Sequence, residues 1–364
     1  MATFVHTADI HFDTPFTARF TPEQASLRRK EVMRTFQNIC EAAKVADLFL
    51  VAGDLFDGRF VSPETVAFLK RCFAEMPDTQ VCLVAGNHDP YPVYAKENFG
   101  ENVHLFGTEM AYLDLPEKQV RVHGRSFSNQ YEESTLLTPL PIKEDWCNIL
   151  LIHGEVVALG GESVYNPLEK PVLEQSGVDY AALGHIHQYS GIQRLGGMYY
   201  AYPGIPEGRG FDEAGERGYL VGTIEKGAVQ ATWKPVAKRE FVLMDLDVSA
   251  CGDSLEVVDK IRTAVEDAGK ENIYRICLVG TAAKDLIKVE SLQEQLKEAA
   301  FSIELRDETR PAYPIESLAE ENSLRGAFVK EMLSEIAQLP EEEKKMGELA
   351  LSIGLDAMER GMLR

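Results

Sequence analysis

Five short stretches of the chain carry residue types that bind cations: Asp9-Ile10-His11, Gly53-Asp54, Gly86-Asn87-His88-Asp89, His153-Gly154 and Gly184-His185-Ile186-His187. Of the 8 histidines in the protein, five fall inside these motifs. Carboxylate, amide carbonyl and imidazole, with no thiolate, form a donor set suited to Mn²⁺, Fe²⁺ or Zn²⁺. In D-x-H and H-x-H on extended backbone, side chains at i and i+2 leave the same face, so both can reach one ion. A glycine beside a ligand lets the chain turn sharply and approach closely. Asp9, His11, Asp54, Asn87, His153, His185 and His187 are too many donors for one ion. They are about right for two, with one carboxylate bridging. Any single motif is more often a turn or a satisfied polar loop, but five in this order, each after an apolar run, are hard to obtain by accident.

The elements that must position these motifs can be read from hydrophobic patterning. Leu48-Phe49-Leu50-Val51, Val81-Cys82-Leu83-Val84 and Ile149-Leu150-Leu151-Ile152 are continuous apolar runs of strand length, as expected for strands covered on both faces. Between the first two, Pro63 to Glu75 places Val66, Leu69 and Phe73 at helical spacing. This is an α/β pattern, and in open α/β sheets ligands gather beyond the carboxyl ends of the strands. Five loops distant in sequence can converge there.

After Lys238 the texture changes. A strand at Phe241–Met244, a helix over Ser254–Ala268 with Leu255, Val258, Ile261 and Ala264 on one face, a strand at Tyr274–Val279, a helix over Ser291–Ala300 and a strand at Phe301–Leu305 make a small α+β domain. Pro311 and Pro314 break the chain, and the remainder reads as helical, with Leu324, Phe328, Met332 and Ile336 forming an apolar stripe. The expected division is therefore 1–238, 239–310 and 311–364.

With 364 residues, 45% hydrophobic and 26% charged, the chain can bury a real core, and no apolar run reaches the length of a membrane span. Thr3-Phe4-Val5 already reads as a strand and leaves no room for a signal peptide, so cytoplasm is the expected compartment. The six cysteines include no C-x-x-C pair and read as reduced, buried residues. A net charge of −21 is awkward for a protein that touches nucleic acid, since phosphate contact is normally driven by Lys and Arg. Any such contact must be local, helped by metal ions, or shared with a basic partner.

The order D-x-H, G-D, G-N-H-D, H-G, G-H-I-H resembles the calcineurin-like metallophosphoesterase superfamily, and within it the SbcD-type DNA repair exonucleases with their YhaO-like branch. Tyr180-Ala181-Ala182-Leu183-Gly184-His185-Ile186-His187 is similar to that branch's last metal motif. Tyr202-Pro203-Gly204-Ile205-Pro206-Glu207-Gly208-Arg209, followed by Glu213, Gly215 and Gly218, resembles the segment closing its nuclease domain. The motifs cover residues 1 to about 240; the Phe241–Glu308 domain resembles the family's capping domain only in pattern.

The resemblance implies an α/β fold, a four-layer α-β-β-α sandwich with a smaller α+β capping domain and a helical C-terminal tail. It implies that Asp9, His11, Asp54 and His187 hold one divalent ion and Asp54, Asn87, His153 and His185 a second, Mn²⁺ foremost, with Fe, Zn or Mg as alternatives. A bridging hydroxide would then attack the phosphodiester while His88 protonates the leaving oxygen, with Asp89 either orienting His88 through its second ring nitrogen or capping its own loop. Arg209 and Arg217 are candidate phosphate contacts. Archaeal and eukaryotic nucleases of the family often have histidine where this chain has Asp57; bacterial relatives commonly have Asp there, so the function is not removed, but how the substrate backbone is gripped nearby is put in doubt.

The expected activity is thus a DNA exonuclease or endonuclease acting in repair. The alternatives are a small-molecule or cyclic-nucleotide phosphodiesterase with the same centre and, further off, a non-catalytic scaffold. The implied partners are DNA, an SbcC-type SMC-like ABC ATPase docked on the C-terminal helices, and a second copy of the chain, with no membrane; the alternative for the apolar stripe of the tail is packing back on its own domain. His6, His104 and His123 match no metal motif and read as structural.

Overall fold

The structure is a computed structural model and describes residues 1–58, 60–94, 96–283 and 286–359. The chain forms two compact units, Met1–Phe241 and Val242–Arg364. The first runs β1 (Ala2–Thr7), α1 (Pro22–Ala43), β2 (Leu48–Ala52), α2 (Pro63–Ala74), β3 (Gln80–Val84), β4 (Val103–Leu105), β5 (Ala111–Leu115), β6 (Val120–Arg125) and β7 (Cys147–His153). It continues through β8 (Glu155–Val157), β9 (Pro167–Glu169), α3 (Lys170–Glu174), β10 (Tyr180–Gly184), β11 (Gln193–Leu195), β12 (Met198–Ala201), β13 (Gly218–Glu225) and β14 (Ala228–Pro235).

Two six-stranded mixed sheets result, ordered β14-β13-β1-β2-β3-β4 and β11-β12-β10-β7-β6-β5. β1 to β4 are mutually parallel, as are β6, β7, β10 and β12, so their carboxyl ends share a side within each sheet. The apolar runs explain the stacking. All five residues of β2 and all seven of β7 are buried, as strands covered on both faces must be. Leu48, Leu50, Cys82 and Val84 from the first sheet share one core with Val122, Ile149, Leu151 and Tyr180 from the second. Phe49 points the other way, onto Phe36 of α1. Each such large apolar side chain removed from water stabilises the fold by about 1.5–3 kcal/mol.

α1 starts with a capping box of Thr21 and Gln24 followed by Pro22, and α2 starts at Ser62, whose hydroxyl accepts from Thr65 N. The outer face of the second sheet, with Leu150, Ile152, Ala181 and Leu183, is covered by Phe127, Leu136, Leu137, Leu168 and Leu173. These come from irregular chain, the short strand β9 and the single-turn helix α3, so the fourth layer of the sandwich is thin.

The second unit contains β15 (Phe241–Asp247), α4 (Ser254–Ala268), β16 (Ile273–Val279), β17 (Thr281–Ala282), α5 (Val289–Gln295), β18 (Ser302–Asp307) and β19 (Arg310–Pro311), then α6 (Ile315–Glu320), α7 (Leu324–Gln338) and α8 (Glu341–Glu359). A three-stranded sheet β15-β16-β18 packs on α4 and α5 around Val257, Val258, Ile261, Val265, Tyr274, Ile276 and Leu292. The expected face of α4 is therefore displaced: Leu255, in the first turn, is 63% exposed while Val257 and Val265 are buried. The tail stripe is also trimmed. Leu324 is exposed, and Val329 and Ile336, flanked by Phe328 and Met332, pack on Leu318 of α6 and Leu351 and Leu355 of α8. Among the described residues no helix is long and apolar enough to cross a membrane.

Candidate metal centre

Asp9 follows β1, Asp54 follows β2, Asn87 and His88 follow β3, His153 ends β7, and His185 and His187 follow β10. Ligand-type residues from both sheets thus meet at one edge of the sandwich. The backbone there is held in an uncommon conformation. Asp9, His11, Asp54 and His185 have left-handed φ of 55°, 52°, 50° and 105°, which costs about 1–2 kcal/mol for a residue with a Cβ. Cross-bracing enforces it: Asp9 N donates to Gly53 O and His11 N to Asp54 O, both at 3.0 Å. Two glycines let the walls close in. Gly53 (φ 90°) lies against the His153 ring, and a Cβ on Gly184 would run into the Ala52 carbonyl.

The seven expected ligand residues come together. His11 Nε2 lies 3.3 Å from His187 Nε2 and 3.9 Å from Asp54 Oδ2. His187 Nε2 is 3.9 Å from Asp9 Oδ1, and Asp9 accepts from His185 N. On the other side, Asn87 Oδ1 sits 2.9 Å from His153 Nε2 and 3.2 Å from His185 Nδ1, and Asp54 Oδ2 is 3.5 Å from His153 Nε2. Ligand atoms of Asp9, His11 and His187, and separately of Asp9, Asp54 and His153, lie close enough together to share an ion.

These residues fit divalent cations by chemistry as well as position. His153 Nδ1 donates to Ala52 O at 2.9 Å and His187 Nδ1 faces Glu213 Oε1 at 2.6 Å, so both rings turn Nε2 inward. Burial lowers the His11 pKa, and burial together with the neighbouring His153 lowers that of His185 to about 3, keeping both in the neutral, ligating form. Burial alone would raise Asp54, but His153, His11 and His88 outweigh it and leave the carboxylate charged.

His88 lies beside His11, ring centroids 4.7 Å apart, with its side chain 41% exposed. Asp89 does not orient it, contrary to what adjacency implies. The buried Asp89 carboxylate accepts from Gly86 N at 2.8 Å, Phe56 N at 2.9 Å and the Tyr94 hydroxyl. Burial, with Asp54 nearby, pushes it up to about 8. The carboxylate on His88 is instead Asp57, 3.1 Å from Nδ1, which raises the His88 pKa. Asp57 also lies 3.5 Å from His11 Nδ1 and 3.7 Å from Arg209 Nη1. Asp57 therefore serves the site directly.

Arg209 faces this group, its guanidinium held by Glu213. Arg217 does not: it is 4% exposed, and its donors go to the carbonyls of Glu213, His187 and Ala214 and to Gln188 Oε1. It fastens the loop after His187, with four of its five N–H donors engaged there. Glu213 was visible in the sequence only as part of a family segment. Burial would raise its pKa, but the His187 hydrogen bond and Arg209 bring it down to about 2. The segment carrying Arg209 and Glu213 is anchored on α1, where the fully buried Arg28 donates to Glu31, Glu207 and Gly208 O, and Thr35 donates to Glu207. His6, His104 and His123 bond Tyr180 and Leu183 O, Gln80, and Asn148 respectively, away from the centre.

The sequence pattern of the calcineurin-like phosphoesterase family matches residues 2–189, which include all seven ligand-type residues. Among curated proteins, the uncharacterized metallophosphoesterase YhaO of Bacillus subtilis (strain 168) is 28% identical over 341 residues, covering 84% of this chain and 82% of its own. The DNA double-strand break repair protein Mre11 of Methanopyrus kandleri is 23% identical over 365 residues, covering 88% of this chain and 76% of its own.

Proposed function

The chain belongs to the calcineurin-like phosphoesterases, and from that premise we propose that it is a two-metal phosphodiesterase that shortens DNA in repair. Asp9, His11, Asp54 and His187 would hold one cation, and Asp54, Asn87, His153 and His185 the other, with Asp54 between them. Mn²⁺ suits this oxygen and nitrogen donor set. When bound, the pair would acidify a water and neutralise charge on the phosphate. His88 then supplies a proton to the leaving oxygen, and Asp57 holds its ring and favours its charged form. Arg209, braced by Glu213, is placed to meet a phosphate oxygen beside His88.

The observation that supports this best is the meeting of seven donors from five strand ends with a separate, half-exposed histidine beside them. DNA as substrate draws on the likeness to a protein named for double-strand break repair, over 88% of the chain. An SbcC-type SMC-like ATPase as partner for α7 and α8, 239–310 as a capping domain, and pairing of two copies rest on the resemblance of the sequence motifs alone. A net charge of −21 favours the second reading, a small phosphodiester as substrate.

Mn²⁺-dependent digestion of end-labelled DNA by wild type, His88→Leu and Asp54→Ala, beside a p-nitrophenyl phosphodiester, separates the two. Shortening of DNA by wild type only, with metal retained in His88→Leu, is the expected result. Cleavage of the small diester with DNA untouched, even with the ATPase added, would overturn the nuclease reading.

A further inference from the structure

The wall of the centre on the His185 side is aromatic. The Tyr165 ring lies 4.7 Å from that of His185, and the Tyr131 ring lies 5.8 Å from Tyr165, tilted by 40° and 36°. This ladder runs outward from a candidate metal ligand. Tyr165 is half-buried and Tyr131 is 54% exposed, so the outermost rung presents ring surface to solvent.

The ladder is built rather than loose. Glu132 and Tyr165 form a bridge, with Glu132 N donating to Val164 O and Asn166 N to Glu132 O. Glu132 Oε1 accepts from Ser128 N and Oγ, which closes the turn that carries Tyr131. Asn166 is fully buried with a left-handed φ of 54°, and its amide donates to His153 O at 2.6 Å. The loop bearing Tyr165 is therefore tied directly to the backbone of another candidate ligand. Two tyrosines fixed at the rim of a phosphodiester site, with one face open, match the geometry by which proteins hold unstacked bases.

We infer that Tyr131 and Tyr165 form a stacking platform for an unpaired nucleobase next to the scissile phosphate, so that the substrate is single-stranded or frayed at the point of cleavage. This rests on the nuclease reading. It also eases the charge problem, because every base offers a π-face and stacking needs no cation. In a chain of net charge −21, much of the grip on nucleic acid then comes from rings instead of lysines.

The test uses the full chain in Ca²⁺ and a single-stranded oligonucleotide ending in 2-aminopurine, whose fluorescence is quenched on stacking. Wild type should quench the probe. Tyr131→Ala, an exposed position, should bind it about 5- to 150-fold more weakly, the range for loss of one base–aromatic stack. The slope of log affinity against log salt should not change, because no phosphate contact is lost. An oligonucleotide with an abasic site in place of 2-aminopurine should bind wild type and variant alike. Equal binding of the 2-aminopurine probe by both proteins, or equal loss on the abasic strand, overturns the platform. Cleavage is scored separately in Mn²⁺: quenching that depends on Tyr131 without any cutting refutes the nuclease reading and leaves the platform standing, whereas cutting indifferent to Tyr131 does the reverse.

Discussion

Replacing Asn166 should cost the first unit several kcal/mol, although the residue binds no substrate in the proposed reaction. Its side chain accepts from Leu136 N at 2.7 Å and donates to His153 O at 2.6 Å, and all of this is buried. Removing the amide leaves one buried N–H and one buried C=O without that partner, at about 1–3 kcal/mol each, so about 2–6 kcal/mol in all. Alanine keeps the Cβ that Asn166 already carries at φ 54°, so its cost is mainly that of the two hydrogen bonds. Asn166→Gly removes the Cβ, relieves the backbone there and should lose less than Asn166→Ala.

Urea unfolding followed by tryptophan fluorescence gives a direct reading. The chain's 2 tryptophans, Trp146 and Trp233, both lie within Met1–Phe241, so the signal reports on that unit. A loss under about 1 kcal/mol in Asn166→Ala would show that water satisfies both groups, and would refute the claim that this amide holds the Tyr165 loop to His153.

Three further outcomes are expected. His88→Leu should retain its metals and lose about 10²- to 10⁴-fold in kcat, the usual share of a general acid, measured with a phosphodiester at saturating Mn²⁺. Asp57→Asn removes the hydrogen bond that raises the His88 pKa; since the protonated ring is the working form, the alkaline limb of the pH–rate profile should move to lower pH, and an unmoved limb would exclude the dyad. Arg28→Met strips the charged partner from the buried Glu207 and leaves Glu31 with Arg239 alone; it should destabilise the first unit by about 3–5 kcal/mol in the same fluorescence assay, with Glu207→Gln in the same chain recovering part of the loss.

The donor residues were legible because metal chemistry restricts residue type, and because each donor follows an apolar run that could only be a buried strand. What faces what across the site was not. Asp89 adjoins His88, yet successive residues in that turn point apart, and Asp89 is drawn inward by the N–H groups of Gly86 and Phe56. The carboxylate that does reach His88 comes from the loop after another strand, and its approach depends on the pairing of β2 with β3. Arg217 looked like a loop cation because the carbonyls that consume it have no sequence signature. Leu255 and Leu324 fit their helical stripes in spacing but lie in first turns, beyond the reach of the core those stripes cover.

The sharing of ligands between two sheets has a consequence for how the protein is made. Asp9, Asp54 and Asn87 leave the ribosome early, but His153 comes much later and His185 and His187 only after half the chain is synthesised. Until β7 and β10 have paired and closed over the first sheet, the early carboxylates can gather only a partial coordination shell. If these residues hold cations as proposed, metal uptake would be a late event that registers completed assembly of both halves, and chains truncated before His185 should emerge without cations and be open to proteolysis.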